Sequence, residues 1–306
     1  MIDKFIKKLI YNIPISYKKE KIDLVLDGGA FNGSYQVGSL LFLKEMEIQG
    51  KIEVDKISGS SIGAISALLY HVDKLEMFIK FYKRILKYLK KYKCLKIVHS
   101  IIDNELKVLL PLNIHEQITN KIFISYYNVN ERRKIIKSTY KNIDDVLDTI
   151  KRSSFLPFLI NGDIVYKNKY LDGINPYVFN SELSKKILYI DLLGIDKIKD
   201  IFSLKNENTN YHRILTGILD IHLFFIKKTS TQMCSYVGEW CIKNWIRNYV
   251  IKYFFEKLII YCILFYIKFK SYIPNQFNKL LFIQCLKKIG AIGSEFYIIL
   301  FHHFCI

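Results

Sequence analysis

Seven of the chain's 14 glycines fall between residues 28 and 63, and this clustering limits the fold more than any other feature. Glycine is needed where backbone turns sharply or another group approaches it closely, so the chemistry is expected there. Each glycine cluster follows a short apolar run. Residues 22–26 (IDLVL) read as a strand that enters Asp27-Gly28-Gly29-Ala30-Phe31-Asn32-Gly33. The next segment, SYQVGSLLFLKEM, has the helical spacing of Val37, Leu40, Leu41 and Leu43. Residues 52–57 read as a second strand. It meets Ser58-Gly59-Ser60-Ser61-Ile62-Gly63 and then the helix-compatible run AISALLY. Strand, glycine loop, helix, strand, tight turn, helix is the order of an α/β fold with a mainly parallel sheet flanked by helices.

Further on, Leu75, Phe78, Ile79, Tyr82, Ile85, Leu86 and Leu89 recur at helical spacing, with Lys80, Arg84, Lys87 and Lys91 on the other side. Residues 122–129 and 134–138 read as strands around a polar turn, 144–151 as a helix and 187–195 as a buried strand. The opening MIDKFIKKLIYNIP reads as a short amphipathic helix ending near Pro14. Lys4, Lys7 and Lys8 interrupt the apolar run that a secretory signal needs. From about residue 196 glycine thins, aromatic and lysine content rises, and apolar stretches recur at 219–226, 249–267 and 295–305. The longest uninterrupted one, residues 258–267, has ten residues, against about 20 for a spanning helix. Core or interfacial helices are therefore expected. The division is an N-terminal helix at 1–20, an α/β core at 21–195 and a helical, basic, aromatic region at 196–306.

The formal charge is +18, yet only six of the 46 basic residues are arginine. Nucleic-acid binding favours guanidinium contacts, so no nucleic-acid partner is expected. Two readings of the charge stand: attraction to an anionic membrane surface, or a lysine-rich composition alone. The basic amphipathic helix around 74–93 and the stretch 245–270 have the anatomy of helices that lie on headgroups, or of helices that pack an apolar side on the core. Six cysteines (Cys94, Cys234, Cys241, Cys262, Cys285, Cys305) form no C-x-x-C pair, which fits a reducing, cytoplasmic compartment, with or without peripheral membrane attachment. His302, His303 and Cys305 lack any established ligand spacing, and no metal is expected. Oligomeric state is not legible.

Gly59-Ser60-Ser61-Ile62-Gly63 matches G-x-S-x-G, in which flanking small residues let a serine sit on a sharp strand-to-helix turn. Ser61 is thereby exposed as a nucleophile. A serine needs a base. None of His71, His99, His115, His212, His222, His302 and His303 lies in a short loop directly after a convincing strand. Asp172, between Tyr170-Leu171 and a Gly-to-Pro turn, is instead placed to be half buried with a raised pKa, as a base requires. Read alone, that Asp-Gly is also a common turn.

Together, DGGAFNGSYQVG after a strand, the GSSIG turn, a later YLDG and the segment Ile150-Lys151-Arg152-Ser153-Ser154-Phe155-Leu156-Pro157 resemble the patatin-like phospholipase family over residues 21–195. The resemblance implies a three-layer fold and a Ser-Asp dyad without histidine. Ser61 becomes the nucleophile and Asp172 the base. The N–H groups of Gly28, Gly29 and Ala30 form the oxyanion hole, and Gly59 and Gly63 form the elbow. It further implies glycerophospholipid or related acyl-lipid substrates and an acyl-enzyme, with no small-molecule cofactor. The sequence departs from the family pattern at Ala30 (usually glycine), Asn32 (usually arginine or lysine) and Ile174 (usually small). Two other readings stay open: a Ser-His esterase, and a catalytically silent membrane- or phosphate-binding module, though the loop has neither P-loop nor G-x-G-x-x-G spacing.

Overall fold

The computed structural model describes residues 2–14, 19–180, 185–194, 197, 200, 204 and 207–272. At its centre is one sheet with strand order β4-β3-β2-β1-β6-β7. The strands are β1 (Glu20–Leu26), β2 (Ile52–Ser60), β3 (Ile122–Asn128), β4 (Arg133–Lys137), β5 (Tyr170–Asp172), β6 (Lys186–Ile190) and β7 (Cys234–Tyr236). β6, β1, β2 and β3 run parallel, β4 and β7 are antiparallel edges, and β5 pairs antiparallel with β3. The three-layer α/β architecture expected from the sequence is present.

Side-chain alternation divides the central strands between two cores, because successive residues of a strand face opposite sides of its sheet. Leu24, Leu26, Ile124, Leu188 and Ile190 enter the main core. Val25, Phe123, Ile187 and Tyr189 enter the smaller one on the other face, with Phe179 and Trp240. Over the main core lie α1 (Ile2–Tyr11), α2 (Gly33–Ile48), α3 (Ile62–His71), α4 (Met77–Tyr92), α5 (Lys96–Ile101), α6 (Lys107–Leu109), α7 (Ile114–Ile118), α8 (Ile143–Ser153) and α9 (Tyr211–Lys227). A π-helical turn, Ile102–Leu106, joins α5 to α6. Near the other side, α10 (Ile242–Trp245) leads through a second π-helical segment, Ile246–Ile251, into α11 (Lys252–Tyr272). Ile260 of α11 packs with Tyr127 and Leu171.

One expectation needs correction. The strand expected at 187–195 stops at Ile190. The Asp191 side chain then accepts from the Leu193 N–H two residues on, a turn bond rather than a ladder bond, and from Lys252 Nζ of α11. Residue 195 lies outside the described residues. The helix around 74–93 exists as α4, and the burial of Phe78, Phe81, Tyr82, Leu86 and Leu89 in the main core agrees with the second of its two readings, an apolar side packed on the core. Between residues 207 and 272 the described part of the C-terminal region is mainly helical as expected, with β7, which pairs with β6, as the one strand there. The stretch 295–305 lies outside the described residues.

Candidate active site

The register of β3 brings the side chains of Ser61 and Asp172, expected from the sequence as a dyad, together. Its first half pairs with β2, Ser60 opposite Ser125, and its second half pairs with β5, Asp172 opposite Tyr126. Ser61 leaves the end of β2 where Asp172 ends β5, at the carboxyl end of the parallel strands, where open α/β sheets hold their ligands. Ser61 Oγ donates to Asp172 Oδ2 at 2.7 Å, across 111 residues of chain.

The elbow is strained. Ser61 has φ 54° and ψ −122° between β2 and α3, a conformation that costs of order 1–3 kcal/mol and persists only where surrounding structure enforces it. Here the enforcement is close backbone packing. A Cβ on Gly59 would lie 2.6 Å from the carbonyl oxygen of Gly63, and one on Gly63 would lie 2.4 Å from the Leu26 carbonyl oxygen. Ser153 fixes the turn from the side: its Oγ accepts from the Ser61 N–H at 3.0 Å and donates to the Ser125 carbonyl at 2.6 Å.

Asp172 is almost wholly enclosed, and burial pushes its carboxyl up to about 7 against smaller opposing effects of the Ile174 N–H and Ser61 hydroxyl hydrogen bonds. Ile174 donates its N–H to Asp172 Oδ1 at 3.0 Å while sitting at φ 52°. A β-branched side chain is a genuine outlier there, which gives a physical reason for small residues at this position in the family pattern. Ala30, at φ 46°, likewise occupies left-handed backbone where the pattern has glycine.

The Gly28-Gly29-Ala30 loop lies against the serine. A Cβ on Gly28 would sit 3.4 Å from Ser61 Cβ, and Ala30 and Ser61 line the same cleft. Hydrogen bonds among the described residues leave the N–H groups of Gly28, Gly29 and Ala30 without an acceptor. Two buried cations that sequence reasoning missed brace this loop. Arg213 of α9 donates to Asn32 Oδ1 at 2.7 Å and pairs with Glu207 Oε1 at 2.6 Å. Asn32 Nδ2 donates to the carbonyls of Leu192 and Lys197. Lys252 of α11 reaches Asp27 Oδ2 at 2.5 Å and Asp191 Oδ1 at 2.8 Å. Burial raises Asp27 to about 6 even with this ammonium beside it. One turn on, Glu256 accepts from Lys134 Nζ and Asn175 Nδ2. The only sequence signal for these groups is a lone charge within a mostly apolar helical stretch.

The cleft beyond Ser61 holds about 800 Å3 of empty space, its open mouth included, and its wall is apolar: Ile65, Phe78, Phe81, Val98, Ile102 and Ile160 among others. Such a wall solvates a hydrocarbon chain. No described histidine hydrogen-bonds with Ser61; His99, for example, lies between the rings of Phe155 and Tyr166. His302, His303, Cys285 and Cys305 lie outside the described residues. Among the described residues no three His, Cys, Asp or Glu side chains gather as a metal site, and no described helix is long and apolar enough to cross a membrane.

The family model for patatin-like phospholipases matches residues 24–176, half of the chain, and contains both Ser61 and Asp172. The chain belongs to the patatin-like phospholipase family. It is a family of lipid acyl hydrolases, so lipid esters are the substrate class that membership implies. The matched region begins within β1 and ends at Pro176, and thus takes in the glycine loop, the elbow and β5, whereas α9 and α11 with their two bracing cations lie beyond it. No curated protein matches the chain.

Proposed function

We propose that the protein is a phospholipase A-type hydrolase that cleaves acyl esters of glycerophospholipids through a Ser61-Asp172 dyad. The observation that carries this reading is the 2.7 Å hydrogen bond from Ser61 Oγ to Asp172 Oδ2 at the head of an apolar cleft. Ser61 Oγ attacks the ester carbonyl carbon as its proton passes to Asp172 Oδ2. The tetrahedral oxyanion takes hydrogen bonds from the N–H groups of Gly28, Gly29 and Ala30, a kind of stabilisation in which one donor is worth roughly 3 kcal/mol. The positive N-terminal end of α3 favours the same charge. The intermediate collapses, the lysolipid alkoxide leaves with the proton from Asp172, and the acyl group stays on Ser61. Water then attacks the acyl carbon as its proton passes to Asp172; the bond from Ser61 Oγ to the acyl carbon breaks, Asp172 returns that proton to Oγ, and the fatty acid leaves.

The carboxyl's raised pKa suits this role, since a general base works best with a pKa near the operating pH. The mechanism needs no small-molecule cofactor. In the test, wild type releases fatty acid from phospholipid in mixed micelles and is labelled by a fluorophosphonate, while Ser61→Ala does neither. Equal turnover by the two proteins would refute the reading.

A further inference from the structure

We propose that the outward face of α11 is a docking surface for an anionic lipid membrane. The inference rests on the lipid-hydrolase reading for its purpose, but its observations are separate from the dyad. A helix on a solvated protein surface turns apolar residues inward and charges outward. α11 departs from this. Toward the protein it presents Ile260 but also Lys252, bonded to Asp27 and Asp191, and Glu256, bonded to Lys134 and Asn175. Outward it presents Phe254, Phe255, Leu258, Tyr261, Phe265 and Tyr266, each 45–69% exposed. Single exposed apolar residues are ordinary, but a continuous apolar helix face marks an interaction site.

Three observations identify lipid as the occupant. Trp245, Tyr249 and Tyr253 stack in a row at centroid spacings of 6.0 and 6.4 Å; tryptophan and tyrosine suit the headgroup level, where a ring is half apolar and half wet. Lys257 Nζ lies over the Tyr253 ring at 5.2 Å, exposed Lys243 and Arg247 alternate along the chain with the row's first rings, and each basic side chain near an anionic bilayer contributes about 1 kcal/mol of attraction. A second copy of the chain would bring these cations, and a charge of +18, against their own kind. Finally, exposed Phe158 meets Tyr266 edge-on at 6.3 Å, between the cleft-lining residues Leu156 and Ile160. The apolar surface of α11 is thus continuous with the segment that walls the cleft. With Lys252, Glu256 and Lys257 within it, the helix lies on a bilayer rather than across it.

The test uses full-length Ser61→Ala protein in flotation with vesicles of phosphatidylcholine alone and of phosphatidylcholine with phosphatidylserine. It should float with the phosphatidylserine vesicles, less so at high salt. F254S/L258S/F265S in the same background should bind them about tenfold or more weakly, three apolar side chains having lost their burial. With Ser61 intact, that triple variant should keep wild-type turnover of a soluble short-chain ester. Should it lose that turnover and prove misfolded, K243Q/R247Q decides: weakened binding to phosphatidylserine vesicles supports the proposal and unchanged binding overturns it. The proposal is also overturned if Ser61→Ala protein floats with neither vesicle, or if the folded triple variant floats like its parent. A dimer in light scattering that the triple variant dissolves would assign the face to a second copy instead. If wild type hydrolyses no ester at all, the hydrolase reading fails while flotation still reports on α11.

Discussion

Arg213 donates through Nη1 to Asn32 Oδ1 across 2.7 Å, so a guanidinium 181 residues further along the chain stands beside the glycine loop. Family members usually carry a cation of their own at position 32. Here the loop residue is neutral and buried, and α9 supplies the charge, itself balanced by Glu207. Arg213→Met takes the guanidinium from part-buried Glu207 and the donor from buried Asn32 Oδ1. Breaking such a pair costs roughly 3–5 kcal/mol, so the denaturation midpoint should fall by a corresponding amount. Ester turnover should fall too, measured where both proteins are still folded, and Arg213→Lys should recover part of each loss.

Ser61→Ala and Asp172→Asn should each lower kcat by about 10^4-fold or more, as in serine hydrolases whose reactive groups act as a unit. The double variant should be no slower than either single one. Individual His→Gln changes at His71, His99, His115, His212 and His222 should leave kcat within about threefold of wild type, since none hydrogen-bonds with Ser61. A single histidine change that abolished turnover would revive the Ser-His alternative.

Much of this site is legible in the sequence because its demands are local. Glycines 59 and 63 follow from backbone packing within one turn, and the apolar alternation of β1 and β3 fixes which residues enter which core. Asp172 was legible as a candidate, but its three-residue strand was not. β5 is defined only by pairing with a β3 segment over 40 residues earlier, and nothing in Tyr170-Leu171-Asp172 itself distinguishes it from a turn. The bracing cations were illegible for a similar reason. Lys252 and Arg213 resemble any other basic residues of a lysine-rich chain, and only tertiary structure shows that they are buried against Asp27 and Asn32. Amphipathic pattern alone did not say which apolar face is covered: α4 has the clean pattern and turns it onto the core, whereas α11 carries Lys252 and Glu256 on its inward side, which only their tertiary partners reveal.

Activity and stability should respond to pH in opposite directions. In the proposed dyad Asp172 must be ionised to accept the serine proton, so kcat/KM should rise with pH through about 7 and then level off. The same carboxyl ordinarily titrates at 3.8 in an unfolded chain, so the folded protein holds the proton more tightly. Its contribution to stability is fully present below that unfolded value and is lost as pH rises through about 7, by on the order of a few kcal/mol. Asp27, raised by burial to about 6, acts in the same sense. Urea denaturation of Ser61→Ala and of S61A/D172N across pH 4 to 8 should separate the two: the second protein should lose the part of the slope that belongs to residue 172. A pH-rate profile flat between 5 and 8 would remove Asp172 as the base.

Ile174 stores strain that substitution should release. At φ 52° a β-branched residue pays roughly 1–2 kcal/mol for left-handed backbone; its own N–H bond to Asp172 Oδ1 holds it there, and its carbonyl oxygen lies so close to Gly28 that a Cβ on that glycine would sit 2.7 Å away. Asparagine accepts this conformation without glycine's extra freedom in the unfolded chain. Ile174→Asn should therefore raise the urea midpoint by the equivalent of about 1 kcal/mol at unchanged m-value, less whatever the half-buried isoleucine side chain contributed. Because the N–H to Asp172 is a backbone group, turnover should survive the change. A loss of turnover with stability gained would mean that the strain itself, rather than the hydrogen bond, holds the carboxylate toward Ser61.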